Sequence, residues 1–494
     1  MAVSSLLAFC VSLVVSCVLT YASYLIFLHP LRKYPGPLLA KATDWFAGFH
    51  AFKKDLHLQI FEAHQKYGRT YTPQVKGQLI GFPGTLALAM IGPVVRLAPN
   101  RLVFNTAEAF QDIYLNARVS KAYTYGSSVR NNVDNVFTAR DKDVHRAKRK
   151  IIAPALTERA AKSFEPSLTG HIAIYLRQVL EASKTSEPLN MTEKARNLAL
   201  DIVTELSFGR SLDVQTSDEN RFVSGALAFG LLRGNIWHHV YYLSRLWAYS
   251  LLDRVFFESR EKYSRLLNKL IRDRVARGQD GRRDFYAFIT EGSDTTATAM
   301  SATFFYLSRN RECYRKLAQE IRSSFASAEE IKGGPQLANC RYLRACIDEF
   351  LRMSPPVPGT LWRSQDPDDN RPLIINGDVI PKGTLFGVSS YALHHNEAYF
   401  PDSFTYKPER WLEARTPEKK LPYDTFAAFS AGPRSCAEKT VAYLKSSLML
   451  ARTLWYFDFE TAPGVLDRGG TSKSMARPEE FHLEDIFTTR HDGP

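Results

Sequence analysis

Phe429-Ser430-Ala431-Gly432-Pro433-Arg434-Ser435-Cys436 sets one thiol at the end of a Gly/Pro-bent loop, just ahead of a helix-compatible run from Lys439 to Leu454. The positive end of a helix favours a nearby sulfur as thiolate, and a thiolate is a natural ligand for a soft metal centre. Phe429 is spaced to pack over the sulfur. Gly432 lets the backbone turn beneath a flat ligand, and Arg434 can meet an anion. The plain alternative is a structural cysteine in a loop, and the rest of the chain decides between them.

Working outward, Phe404-Thr-Tyr-Lys-Pro408-Glu409-Arg410-Trp411 precedes the loop, and the helix-like segment Tyr342 to Met353 carries Glu349 and Arg352 three apart on one face. Such a pair alone is a weak surface contact unless a third group completes it. Between them, Pro355 to Arg363 leaves the helix for a short strand, and Gly377 to Thr384 reads as a hairpin with turn residues between alternating strands. The adjacent His394 and His395 are read as structural, since sequence neighbours rarely face one metal together. Farther upstream, Glu291-Gly-Ser-Asp294-Thr295-Thr296 opens a small-residue helix, Ala297 to Leu307. Hydroxyls inside a helix can bond back to preceding carbonyls and hold a local opening, whereas Asp and Thr are also ordinary N-caps. Five basic residues crowd His145 to Lys150, with His145 and Arg149 on one helix face.

Taken in order, these segments resemble the cytochrome P450 family. The Cys loop matches F-x-x-G-x-R-x-C at all four fixed positions, Glu349 to Arg352 matches E-x-x-R, Pro408 to Trp411 matches P-E-R-F/W, and Glu291 to Thr296 is similar to A/G-G-x-D-T-T. The resemblance implies a mainly α fold with a small β region, the cytochrome P450 fold preceded by a single N-terminal transmembrane helix. It implies haem b with Cys436 as axial iron ligand. Phe429, Gly432 and Arg434 would line the haem, with His145, Arg149 and Arg363 at its propionates. Asp294 and Thr295 would relay protons during oxygen activation, and Glu349, Arg352 and Arg410 would form a structural core. Phrases such as Val95-Arg-Leu-Ala-Pro-Asn-Arg-Leu look like the filamentous-fungal branch used in secondary metabolism.

Four places depart from the family pattern. Glu438 stands where the family has Gly, so a carboxylate beside the thiolate requires compensation from Lys439 or solvent. His145 replaces Trp. Residues 69–91 read as an extraneous insertion, because a long structureless stretch is foreign to a compact domain. Arg283-Asp284-Phe285 reaches Glu291 almost at once, which shortens the distal helix near 285–291 by about twenty residues, or roughly 30 Å.

The 494 residues are ordinary globular material, 45% hydrophobic and 23% charged, with a net charge of +13. A basic surface suits anionic lipid or an acidic electron donor. Nucleic acid is not expected, since no zinc-finger spacing, RNP-like run or Lys/Arg-rich helix is present. Six scattered cysteines without a C-x-x-C pair argue against zinc and disulfides. Met1 to Leu28 lacks charge and can span a bilayer, and Arg32-Lys33 behind it places the remainder on the cytoplasmic side. The expected organisation is an anchor at 1–29, a proline-rich hinge at 30–40 and a haem-thiolate monooxygenase domain at 41–494. The chain would sit single-pass in the endoplasmic reticulum membrane with its catalytic domain cytosolic. NADPH-cytochrome P450 reductase would supply electrons from NADPH, its acidic face suiting a basic proximal surface, and the substrate would be a hydrophobic small molecule. Two alternatives stay open: a P450-like chain that binds haem without turnover, and a haem-free, membrane-tethered interaction protein.

Overall fold

Local signals place the main helices where the pattern predicts them. Asn190 caps Met191–Phe208 by accepting from the Glu193 amide at 3.1 Å, and Gly209 ends that helix in the left-handed conformation. Thr106 caps Ala107–Tyr114, and the Asp141 side chain accepts from two amides at the start of Lys142–Ile152. In the computed structural model, the described residues are 2–67, 93–129, 133–185, 187–245, 257–276, 289–413, 421–463, 477 and 479–491. The proposed insertion at 69–91 and the segment 285–288 lie outside them.

The protein is mainly helical with small sheets. Ile289–Arg309 runs through the helical core, packed most extensively along Met191–Phe208 and also against Arg341–Met353 and Lys439–Tyr456. Their buried faces form the largest apolar cluster, including Leu198, Met300, Leu307, Ile347, Phe350 and Leu454. Burial of about twenty-five calories per mole per square ångström of apolar surface makes this cluster the main source of cohesion.

The β region lies to one side. Strands β1 (Val94–Ala98), β2 (Arg101–Phe104), β3 (Val119–Lys121), β4 (Arg363–Gln365) and β7 (Leu385–Val388) form one sheet in the order β1-β2-β7-β4-β3. Two hairpins stand apart: β5 (Leu373–Ile375) with β6 (Asp378–Ile380), and β8 (Glu484–Ile486) with β9 (Thr488–Arg490). The hairpin expected within 377–384 is corrected here. Its turn is Asn376-Gly377, both at positive φ, so Asp378–Ile380 pairs backward with Leu373–Ile375. Gly383, also at positive φ, instead releases the chain into β7, which joins the other sheet parallel to β2. An Asn-Gly dipeptide favours a tight turn because both residues tolerate the left-handed region.

Helical backbone covers Ala2–Leu28, and Val3–Leu28 is long and apolar enough to cross a membrane, with its apolar side chains largely exposed. The chain beyond it folds back onto the sheet side, where Leu31 and Tyr34 are fully buried. Arg96 secures this joint. Its buried guanidinium donates to the Leu25 carbonyl at 2.9 Å and to Pro99 O at 3.1 and 2.8 Å.

Candidate functional site

Glu349 and Arg352 occupy one face of Arg341–Met353, and both are fully buried. Arg352 donates to both Glu349 oxygens, at 3.0 and 2.9 Å, while its remaining nitrogen reaches the carbonyls of His394 and Ser403. Arg410 Nε donates to Glu349 Oε1 at 3.0 Å, as does the Lys407 amide, and Trp411 Nε1 donates to Oε2 at 2.9 Å. Burial opposes the carboxylate charge, but the two guanidiniums and these donors together hold the Glu349 carboxyl below its usual range. The third partner that the helix pair required is thus present.

His394 carries this network toward the cysteine loop. Its Nδ1 donates to Arg352 O at 3.0 Å and its Nε2 accepts from the Ala427 amide at 2.8 Å, an arrangement that requires the neutral ring protonated at Nδ1. Burial and Arg352 push its pKa down to about 3, which keeps the ring neutral. The Ser430 amide then bonds to Ala427 O, and the Cys436 amide bonds to Phe429 O at 2.8 Å, closing the loop. The thiol of Cys436 is exposed at the loop's rim. Phe429 lies beside it in sequence register, packed on Tyr443 with Lys439 over its ring.

Gly432 cannot carry a side chain. Its φ is +69°, and an added Cβ would stand 2.3 Å from the backbone oxygen of Tyr114. Because neither backbone can yield, Gly432→Ala is expected to cost about 2–3 kcal/mol, and thermal unfolding will read it as a lower midpoint.

The carboxylate that breaks the family pattern is held by a different cation from the one anticipated. Glu438 is 14% exposed and lies 3.9 Å from buried Lys445, whereas Lys439 covers Phe429. Burial raises the Glu438 carboxyl and Lys445 opposes that rise. Lys445 lies seven residues, about two helical turns, past Glu438.

His145, Arg149, Arg363 and Arg434 come together although they lie on three separate stretches. His145 is pushed down to about 4, by burial first and then by Arg434, Lys121, Arg149 and Arg363. Arg149 donates to Ser435 O at 3.0 Å and is electrostatically coupled to Cys436. Arg363 donates to the carbonyls of Leu361 and Trp362, and Arg434 to those of Ala139, Arg140 and Asp141. These guanidiniums are therefore satisfied by main-chain oxygens, leaving a concentration of positive charge suited to anionic groups. Lys121 is the member that the sequence reading missed. It pairs across the sheet with Arg363 and covers the rings of Tyr125 and Phe137, and only the β3–β4 register reveals this.

On the other side, Asp294 lies inside the helix Ile289–Arg309, five residues past its start, so the N-cap alternative does not hold. Hydroxyls of Thr298, Ser301 and Thr303 bond back to carbonyls four residues earlier, Thr298 to that of Asp294 at 2.9 Å. Thr298 and Thr489 join their hydroxyls at 2.8 Å, which pins the β8–β9 hairpin against the helix. Asp294 Oδ2 is buried with no hydrogen-bond partner among the described residues, and Asp294 lines a cavity of about 140 Å³ with Arg196 and Arg490. Burial raises its pKa to about 6 against the pull of these two arginines. Thr295 is half-buried at the next position.

This helical fold joins an exposed thiol loop to a buried Glu-Arg-Arg network through His394. The cytochrome P450 family model matches residues 102–289 and 282–482, and the chain belongs to that family, whose members are oxidoreductases. The two matched segments meet where the distal helix was expected to be short. Curated relatives span nearly the whole chain. Cytochrome P450 monooxygenase poxM of Penicillium oxalicum is 33% identical over 95% of this chain and 90% of its own length. Cytochrome P450 monooxygenase AKT7 of Alternaria alternata is 30% identical over 95% and 93%, and cytochrome P450 monooxygenase apf7 of Gibberella fujikuroi 31% over 96% and 94%. Family membership implies haem, a redox partner that supplies electrons, and monooxygenase chemistry.

Proposed function

We propose that this chain is a haem-thiolate monooxygenase that inserts one oxygen atom from O2 into a hydrophobic small molecule in fungal secondary-metabolite biosynthesis. The observation that carries this reading is the convergence of Arg149, Arg363, Arg434, Lys121 and His145 beside the loop that presents Cys436. An iron porphyrin has a metal for the sulfur and two carboxylates for the cations. These residues fit haem b.

When bound, the haem supplies the oxygen-activating chemistry. Cys436 supplies the sulfur ligand, with its loop held by the Phe429 carbonyl and through His394 by the Glu349-Arg352-Arg410 core. Arg149, Arg363, Arg434, Lys121 and His145 would hold the propionates. Asp294, facing a cavity that opens toward Arg196 and Arg490, takes protons from solvent and passes them inward with Thr295. Electrons would come from NADPH through NADPH-cytochrome P450 reductase, whose acidic face suits the chain's net positive charge. Residues 1–29 would anchor the chain single-pass in the endoplasmic reticulum membrane, 30–40 would form the joint, and 41–494 would face the cytosol as the catalytic domain.

The carbon-monoxide difference spectrum of the reduced, membrane-expressed protein tests this reading. A red-shifted Soret band of the thiolate type supports it; an unshifted band, or none, overturns it. A second reading, a chain that keeps the fold and binds haem without turnover, is favoured by the meeting of the two family matches at 282–289. Product formation with NADPH and reductase separates the two.

Asp294→Asn is expected to lower product formation by about 100-fold while leaving the Soret band in place. The wild-type rate should also change around pH 6, where the raised carboxyl titrates, and the Asn variant should lack that step. A pH–rate profile of both proteins checks the role.

A further inference from the structure

Away from the thiol loop, a second set of polar groups is buried together, and several of its atoms have no partner among the described residues. The helix Phe222–His239 brings Asn235 and His238, the segment after Arg341–Met353 brings Thr360 and Trp362, and the β8–β9 hairpin brings Asp485 and Phe487. All border one cavity, whose internal space is about 10 Å³, the size of one water or one polar group. His238 is 2% exposed, and among the described residues neither of its ring nitrogens has a hydrogen-bond partner, nor do the buried Trp362 Nε1 and Thr360 Oγ1. Leaving such groups dry and unpaired is costly, so a hydrogen-bonding occupant is called for.

The chemistry of the lining narrows that occupant. The His238 ring packs edge-on against Tyr125, 4.6 Å between centroids, and Tyr125 is covered by Lys121 of the cationic cluster. The cavity therefore adjoins the haem-facing region proposed above. Asn235 Nδ2 donates to Asp485 Oδ1 at 3.2 Å, and the Phe487 amide donates to the same oxygen at 3.1 Å. His57 Nδ1 approaches the other oxygen at 3.9 Å, and Arg101 is engaged by His239 and Asp44. Burial first, then Arg101 and Lys121, keep His238 neutral, and burial raises the Asp485 carboxyl to about 7. A cation would meet these positive neighbours, and an anion would meet Asp485. A neutral oxygen that both donates and accepts suits every lining group.

We infer that the cavity bordered by His238, Thr360, Trp362 and Asp485 is a polar anchor in the substrate space, which selects apolar substrates bearing an uncharged hydroxyl or carbonyl group. The anchor rests on the monooxygenase reading for its purpose but not for its measurement. Sites built to hydrogen-bond a substrate oxygen discriminate strongly against analogues that lack it, because their own polar groups are then stranded.

The test compares 1-octanol, n-octane and octanoate as probes with the full chain in nanodiscs. Equilibrium dialysis against protein-free nanodiscs reads binding whether or not the thiolate-type band forms, so failure of the haem reading remains distinguishable. The wild-type chain should bind 1-octanol at least tenfold more tightly than n-octane and octanoate. Thr360→Val and His238→Phe, which keep the volume and the aromatic packing, should each remove most of that preference while leaving n-octane binding within about twofold. Equal binding of alcohol and alkane, or a preference untouched by both substitutions, would show a cavity that holds water only and overturn the anchor. Tighter binding of octanoate than 1-octanol would overturn the requirement for a neutral group.

Discussion

Cys436→Ser is expected to erase the thiolate-type Soret band and reduce product formation below detection while the chain stays folded. The thiol is exposed at the loop's rim, so exchanging sulfur for oxygen removes little packing and should move stability by no more than about 0.5 kcal/mol. The loop itself is held by main-chain bonds, from the Cys436 amide to Phe429 O and from Arg149 to Ser435 O, which a serine keeps. A hydroxyl remains protonated where a thiol ionises, and it is a poor ligand for soft iron. Circular dichroism and the thermal unfolding of the haem-free chains should therefore match, while the reduced carbon-monoxide spectra do not. A serine variant that retained the red-shifted band would move the ligand elsewhere and refute the assignment of Cys436.

Glu349→Gln should act through the opposite route, by unfolding the proximal core. The carboxylate accepts from Arg352, Arg410, Lys407 and Trp411, and an amide offers one acceptor oxygen in place of two while placing its own donors against guanidinium. Two buried cations would lose their counter-charge, and breaking a buried pair in this way costs about 3–5 kcal/mol. Against a usual total of about 5–15 kcal/mol, most of the stability margin would go. Haem content and the midpoint of denaturant unfolding should both fall. The pH dependence follows from the depressed carboxyl. Its contribution is fully present above the unfolded value, about pH 4.3, and is lost as pH falls toward the folded one. The wild-type chain should accordingly lose stability on acidification, and the Gln variant should show less of that acid dependence. Equal acid sensitivity in both would place the titrating group elsewhere.

Much of this architecture was legible in the chain. The run Lys439 to Leu454 marked the helix Lys439–Tyr456 to within two residues, because its apolar periodicity is local. The order of Cys loop, Glu349-Arg352 and Arg410 pointed to the family, since each motif is short and contiguous. The hairpin expected within Gly377 to Thr384 instead turns at Asn376-Gly377, because both residues tolerate the left-handed region, and pairs backward with Leu373–Ile375. Lys445 as the cation near Glu438, and Lys121 beside Arg363, had no signature in spacing.

The sequence by itself determined the composition-level class, the apolar N-terminal span, the existence of the main helices and the thiol loop, because these depend on interactions within one or two turns. Tertiary structure alone decided that His394 bridges Arg352 to the loop, that five basic residues from separate segments share one region, and that His238, Thr360 and Trp362 face a common cavity. The reason is physical. Local geometry follows from neighbouring backbone and side-chain preferences, whereas the charge and polarity around a buried group are set by whichever distant segments packing brings against it.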